Sequence, residues 1–385
     1  MDDLTLRKFL IPEFIFGIDA IKLAGQYARN LGANKVMVVT DPVVTAAGWV
    51  NEVLISLDHE NIPFVIFSNV SPNPRDFQVM TGVEEYKRER CDAIIAVGGG
   101  SVMDCAKGIG IVAANKQHIL SYEGVDRVPV AIPPLICIPT TGGSSADVSQ
   151  FAIINNTAEH VKIAIISKSV VPDIALVDPV TLTSLDSLLT AYTGIDALVH
   201  AMEAYVSNAS SVFTDMHALK AIELIGDHLM DSIHHPLNVE LRGKIMLGSL
   251  HAGLAFSNAS LGCVHSMAHS LGGFLDLPHG KCNALLLPQI IEFNYNSAPE
   301  KYEMIGQLLG VTKSSSVFRE KRKALLDYTF RLLEEAGITN TLQDEGVKKE
   351  DISTLAGKAI KDPCNATNPR KPTENDLEVL FKEAM

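Results

Sequence analysis

The sequence predicts an α/β N-terminal domain built on a parallel sheet, followed by an all-α C-terminal domain. Three observations carry this expectation. Short, largely apolar runs recur through the first 180 residues, the first three at intervals of about 30, with helical segments between them. After Asp178-Pro179 the β-branched runs vanish, and long stretches rich in Ala, Leu, Met and Glu take over to the C-terminus. The chain has 385 residues, 47% hydrophobic and 20% charged, which is enough for two packed cores and unlike a disordered chain. The expected domains are 1–185 and 186–385.

The elements follow in order. A helix-like stretch ends at Gly32, and Lys35–Thr40 then reads as a buried strand. Phe64–Phe67, Ala93–Val97, Leu135–Ile138 and Ile174–Val177 repeat the pattern, and Asp76–Arg90 is helical. Strands apolar on both faces, joined by helical crossovers, imply a parallel sheet covered on both sides. Gln150–Ile154 and Val161–Ile166 flank the polar pair Asn155-Asn156 and are expected to form a hairpin inserted in that sheet. No internal repeat or low-complexity segment interrupts the chain.

Charge narrows the partners. Lys and Arg number 32 against 45 Asp and Glu, a net charge of −13. No basic face is available to release counterions from a nucleic acid or to meet an anionic membrane, so neither is an expected partner. Met1-Asp2-Asp3-Leu4 is acidic where a signal peptide would be basic. The longest apolar candidate for a membrane span, Val128–Ile138, is short and carries Pro129, Pro133 and Pro134. Six cysteines (Cys91, Cys105, Cys137, Cys263, Cys282, Cys364) lie scattered with no CxxC pair, which points to a reducing cytoplasm.

The strand Ala93–Val97 runs into Gly98-Gly99-Gly100-Ser101 and then a helical segment containing Asp104. Glycines at a strand-to-helix junction let a phosphate approach the backbone, where free N–H groups and the helix dipole favour an anion. The run is neither a Walker A motif nor GxGxxG, since Met103 stands at the third glycine position. The bland reading is a tight turn. Thr140-Thr141-Gly142-Gly143-Ser144 follows the strand 135–138 and suits phosphate or ribose, or simply a helix N-cap. Asp41 closes the strand 35–40. An acid there binds ribose hydroxyls and repels a 2′-phosphate, favouring NAD, unless it is only a turn residue before Pro42. It precedes the glycine loop, so a plain Rossmann order does not fit.

Nine of the twelve histidines fall between residues 200 and 279. Asp196 and His200 stand four apart in a helical context, and so do His265 and His269. His279 follows between Pro278 and Gly280, where the helix breaks. Imidazoles with one carboxylate suit Fe(II), Zn(II), Ni(II) or Co(II). Spacing leaves open whether His265, His269 or both are ligands, and Asp196 and His200 could instead satisfy each other. His234 and His235 are expected in solvated helix ends or loops, and His217 and His228 on a helix surface.

The chain resembles the iron-containing (group III) alcohol dehydrogenases, whose members include lactaldehyde reductase and 1,3-propanediol dehydrogenase. The matching residues are Gly98-Gly99-Gly100-Ser101 with Asp104, Ala106 and Lys107, then Pro139-Thr140-Thr141 with Gly143 and Ser144. Gly194, Asp196-Ala197, His200-Ala201 and Glu203–Ser207 match as well, as do Gly262, His265, Met267-Ala268-His269 and Pro278-His279-Gly280. Asp362-Pro363-Cys364 and Thr367–Arg370 extend the likeness to the C-terminus. The resemblance implies an NAD-dependent oxidoreductase. It would interconvert a small primary alcohol or diol and its aldehyde by hydride transfer, with the alkoxide on a divalent metal, Fe2+ or a substitute such as Zn2+.

By the same resemblance, the metal ligands are Asp196, His200, His265 and His279, and His269 relays a proton. Nucleotide contacts are implied at Asp41, Asn73, Gly98, Gly99, Gly100, Ser101, Asp104, Thr140, Thr141, Ser144, Phe151, Lys162 and Leu182. Phe256 and Cys364 are implied in the substrate pocket. A homodimer or a larger assembly is implied too. Asp186 and Tyr192 depart from the residues usual at their positions, Pro and Ala, and leave substrate preference open. The competing readings are a Zn2+ polyol dehydrogenase resembling glycerol dehydrogenase, dehydroquinate synthase, a non-redox metal hydrolase and a catalytically weak regulatory member.

Overall fold

In the computed structural model, which describes residues 8–312 and 317–385, six strands form one wholly parallel sheet. They are β1 (Glu13–Phe16), β2 (Val36–Val39), β3 (Phe64–Phe67), β4 (Ala93–Gly98), β6 (Leu135–Pro139) and β9 (Ile174–Val177), in the spatial order β1-β9-β6-β4-β2-β3. The acidic segment Met1-Asp2-Asp3-Leu4 lies outside the described residues. Helices α1 (Ala24–Asn30), α2 (Pro42–Ala46), α3 (Trp49–His59), α4 (Asp76–Arg88) and α5 (Gly100–Asn115) connect the strands.

Side chains of the central strands alternate between two cores. Met37, Val39, Ile94, Ala96, Leu135 and Cys137 face one cluster, whereas Val36, Val38, Ile95, Val97, Ile136 and Ile138 face the other. Both faces are therefore buried, which explains the unbroken apolar runs.

Two features differ from expectation. The hairpin is not part of the parallel sheet. Strands β7 (Phe151–Asn156) and β8 (Val161–Ile166) pair antiparallel, and β5 (Gly124–Val125) pairs with β8, making a separate three-stranded sheet. The interior strands of the main sheet are each flanked by two parallel partners, which leaves the hairpin no place among them. Strand β1 was not anticipated. Its four residues are largely exposed and pair only with β9, so it lacks the buried signature of its neighbours.

The chain divides into two compact units. One contains Leu10–Leu185 and also Leu237–Met246. Within it Ile245 packs beside Gly142, and Arg242 donates to the carbonyl of Leu185 at 3.1 Å. The other contains Asp186–Pro236 and Leu247–Met385, with Phe9. Its helices are α6 (Ser187–Val206), α7 (Val212–His234), the later turns of α8 (Val239–Ala259), α9 (Cys263–Leu275), α10 (His279–Asn294), α11 (Pro299–Leu308), α12 (Phe318–Glu335), α13 (Ile352–Ala359) and α14 (Glu374–Glu383). Among the described residues, no helix is long and apolar enough to cross a membrane.

His234 and His235 are exposed, as expected, but His217 is not a free surface residue. Its Nδ1 lies 2.9 Å from that of His251, and Phe9 stacks on its ring. Burial, then the neighbouring His217 and Lys220, pushes His251 down to about 4. A neutral ring below its ordinary value stabilises the fold above about pH 6.5, and that contribution is lost as pH falls from there through about 4. Melting temperature should drop over this window, and His251→Gln should flatten the drop. Parallel curves for the two proteins would reject the assignment.

Candidate active site

The order β6-β4-β2 sets three loops side by side at the carboxyl edge of the sheet. Register pairs Val39 with Ala96 and Gly98 with Pro139. Thr40 Oγ1 donates to the Val97 carbonyl at 2.9 Å, and the Thr140 N–H donates to the Gly98 carbonyl at 3.0 Å. Asp41 therefore stands next to the glycine loop although it precedes it in the chain. The carboxyl edge of a parallel sheet is where open α/β folds bind nucleotides.

Gly98 ends β4, Gly99 is the N-cap of α5 and Gly100 is its first residue. A Cβ on Gly100 would lie 2.7 Å from the Ser144 Cβ, and one on Gly99 would lie 3.1 Å from Thr141 Cγ2. The second turn thus closes over the first, and only glycine leaves a cradle at the helix N-terminus. Its free N–H groups and the dipole of a 16-residue helix suit a pyrophosphate.

Asn73, with φ 56°, donates its N–H to Ser101 Oγ at 3.1 Å from the loop after β3. Asp104 lies in the first turns of α5, and Leu182 meets Gly142. Phe151 begins β7, where its carbonyl accepts from the buried Lys107 at 2.8 Å. Lys162 pairs in register with Asn155, whose N–H donates to Pro74 beside Asn73. Asp41 also has a structural duty. Its Oδ1 caps α2 by accepting from Val43 and Val44 at 2.8 and 2.9 Å.

In the helical unit, Asp196 and His200 share the inner face of α6, and both are buried. His265 projects from α9. His279, expected on a loop, instead opens α10. Gly280 makes that geometry possible, since a Cβ there would fall 2.2 Å from the carbonyl oxygen of Tyr192 on α6. One ligand atom from each of Asp196, His200, His265 and His279 lies within 4.8 Å of all the others. His265 Nε2 and His279 Nε2 are 4.0 and 3.9 Å from Asp196 Oδ1. Burial, then the neighbouring His269, holds His265 well below its ordinary value, so its ring is neutral.

Three imidazoles and one carboxylate, converging and shielded from water, fit a divalent transition cation. Asn283 adds to the fit. Its Nδ2 donates to Asp196 Oδ1 at 2.6 Å, and its own Oδ1 is buried with no hydrogen-bond partner among the described residues.

His269 stands beside this group. Its ring stacks on His279 at 5.3 Å, and its Nδ1 meets Asp362 Oδ2 at 2.8 Å. Cys364 is buried in the same corner, and burial holds its thiol well above the usual range. Phe256 stacks on His200 at 4.3 Å.

Three supporting residues had no assigned role in the sequence reading: Glu203, Asn283 and Asp362. Glu203 Oε2 lies 2.7 Å from His265 Nδ1. A helical signal existed for two of them. Glu203 continues the stripe Asp196, His200 at the next turn, and Asn283 lies one turn beyond His279. Asp362 reaches His269 only through the tertiary fold.

The two halves of the chain match two models of one family. Residues 12–179 match "Iron-containing alcohol dehydrogenase", and 190–385 match "Fe-containing alcohol dehydrogenase family, C-terminal". The chain belongs to the iron-containing alcohol dehydrogenase family. It is 40% identical to alcohol dehydrogenase 4 of Schizosaccharomyces pombe, over 99% of this chain and 90% of that protein. It is 38% identical to 1,3-propanediol dehydrogenase of Citrobacter freundii, over 98% of each. The solved alcohol dehydrogenase from Oenococcus oeni superposes with a TM-score of 0.95 at 35% identity, covering 99% of this chain and all of that one.

The protein is thus an alcohol dehydrogenase, with a parallel-sheet N-terminal domain and a helical C-terminal one. Its two departures from the family pattern have local roles. Asp186 caps α6 by accepting from the Leu189 N–H at 2.7 Å, and Tyr192 offers its backbone to Gly280.

Proposed function

We propose that this alcohol dehydrogenase oxidises a small primary alcohol or diol to its aldehyde, and reverses that reaction, using NAD and a divalent metal, Fe2+ in the cell. The expected NAD-binding domain, 1–185, gains Leu237–Met246 and starts at Leu10, and the rest of 186–385 is the metal-binding one. The observation that carries the reading is the convergence of Asp196, His200, His265 and His279 in a chain of this family.

A cation held by those four residues would supply Lewis acidity toward the substrate hydroxyl, and NAD held at the glycine loop would supply the hydride acceptor for the carbinol carbon. The protein aligns, shields and moves the proton. Phe256 and Cys364 give the substrate a partly apolar wall. Asp362, bonded to His269 Nδ1, leaves Nε2 of that ring as the atom that receives the hydroxyl proton and passes it on.

In the nucleotide domain the glycine loop, with Ser101, Thr140, Thr141 and Ser144, holds the phosphates, and Asp104 is a further cofactor contact. Asp41 takes the ribose, and Asn73, Phe151, Lys162 and Leu182 complete the pocket. Six free, buried cysteines support a reducing cytoplasm, and the family likeness supports a homodimer.

The test is NADH formation under anaerobic conditions across small alcohols and diols, with apoprotein reloaded separately with Fe2+ and Zn2+. NADH should appear with Fe2+ and at least one alcohol; none with any combination would overturn the reading. The same assay checks Asp41. Asp41→Ser removes the charge but keeps a hydroxyl able to cap α2, so NADP should gain on NAD by about tenfold at little cost in stability. An unchanged preference would reject the ribose role.

A further inference from the structure

Glu203 lies on α6 one helical turn beyond His200, and its side chain is 5% exposed. Its oxygens are fully engaged. Oε1 accepts from the Val264 N–H at 2.7 Å. Oε2 accepts from the Gly262 N–H at 3.0 Å and faces His265 Nδ1 at 2.7 Å. Gly262 is the N-cap of α9 and has no side chain with which to cap it. A carboxylate from another helix does that work, at the end of the dipole that favours negative charge.

Ligation of a cation through Nε2 needs the ring proton on Nδ1, and Oε2 at 2.7 Å is placed to accept it. The proton is then fixed on Nδ1, and Nε2 keeps its lone pair on the side where Asp196 Oδ1 lies at 4.0 Å and Asn283 Nδ2 at 3.2 Å. We infer that Glu203 is a positioning residue of the metal centre: by holding the tautomer and ring angle of His265, it sets how tightly the four-residue group grips a divalent cation. A carboxylate behind a ligating imidazole also raises the basicity of that ligand.

This rests on the proposed metal centre, and the experiment separates the two. Zn2+ affinity is measured by chelator competition on the full chain, wild type and Glu203→Gln, together with the visible spectrum of the Co2+-loaded proteins. Glutamine keeps the volume, but its amide NH2 must face either the peptide N–H groups or Nδ1. Facing Nδ1, it drives the ring proton to Nε2. Zn2+ should bind about 10- to 100-fold more weakly, and the Co2+ bands should shift.

Glu203→Asp keeps the charge with a shorter reach and should recover part of the affinity. It carries the same comparison with wild type if the glutamine variant does not fold. A residue that only caps α9 would lower the melting temperature and leave Zn2+ affinity within twofold and the Co2+ spectrum unchanged; that result overturns the inference alone. Failure of the wild-type chain to bind Zn2+ or Co2+ overturns the metal centre as well.

Discussion

His279→Ala is expected to remove the bound cation and turnover together while leaving the fold standing. His279 is the most solvent-accessible of the four converging side chains, 27% exposed against 6% for Asp196 and 1% for His265. It opens α10 rather than filling its core, so truncation costs little packing. Its loss leaves three donors where the geometry offers four.

Lewis-acid stabilisation of developing charge on oxygen is worth several kcal/mol. Losing about 3–4 kcal/mol of it corresponds to a fall in turnover of about 10²- to 10³-fold. The measurements are metal content after gel filtration, NADH formation and far-UV circular dichroism. Cation retained with full activity would sink the assignment of His279 as a ligand. An unfolded variant would instead say that α10 depends on this ring.

The sheet and the converging group Asp196, His200, His265 and His279 were legible in the sequence to different depths. β2, β4, β6 and β9 announced themselves because both faces are buried, so every position is apolar, and β3 because its four residues are all apolar although Ile66 is exposed. β1 and β5 did not. One is a largely exposed edge strand and the other has only two residues. The hairpin segments were visible, but their placement depended on which strand edges were already taken, a property of the whole sheet.

The position of Asp41 shows the same limit. Its place in the chain order suggested a misfit, and only the adjacency of β2 and β4 sets it by the glycines. Among the histidines, spacing of four put each pair on one helical face. It could not choose between His265 and His269, because the difference lies in the tertiary fold, which sets His265 with Asp196, His200 and His279 and sets His269 with Asp362 and Cys364. Glu203 grips one and Asp362 the other, 62 and 93 residues away in the chain.

The second large effect is expected at the glycine cradle. A Cβ on Gly100 meets Ser144 at 2.7 Å, so Gly100→Val must push the second turn outward and stand a branched side chain over the N-terminus of α5. Overpacking of this kind costs about 1–3 kcal/mol of stability. The cost to nucleotide binding should be larger. The N–H groups at that helix end can no longer reach a phosphate, and each charge-assisted hydrogen bond is worth about 1.5–3 kcal/mol. Losing one predicts a rise in Kd for NAD of about 10- to 10²-fold, read by calorimetric titration.

Metal content should be unchanged, because the four ligand residues belong to the other compact unit. That split makes the result informative whichever way it falls. Weak NAD binding with normal metal content places the phosphates at this loop. NAD binding as tight as that of the wild type would reduce the three glycines to a tight connection between β4 and α5, and the nucleotide would then have to lie elsewhere along the carboxyl edge of the sheet.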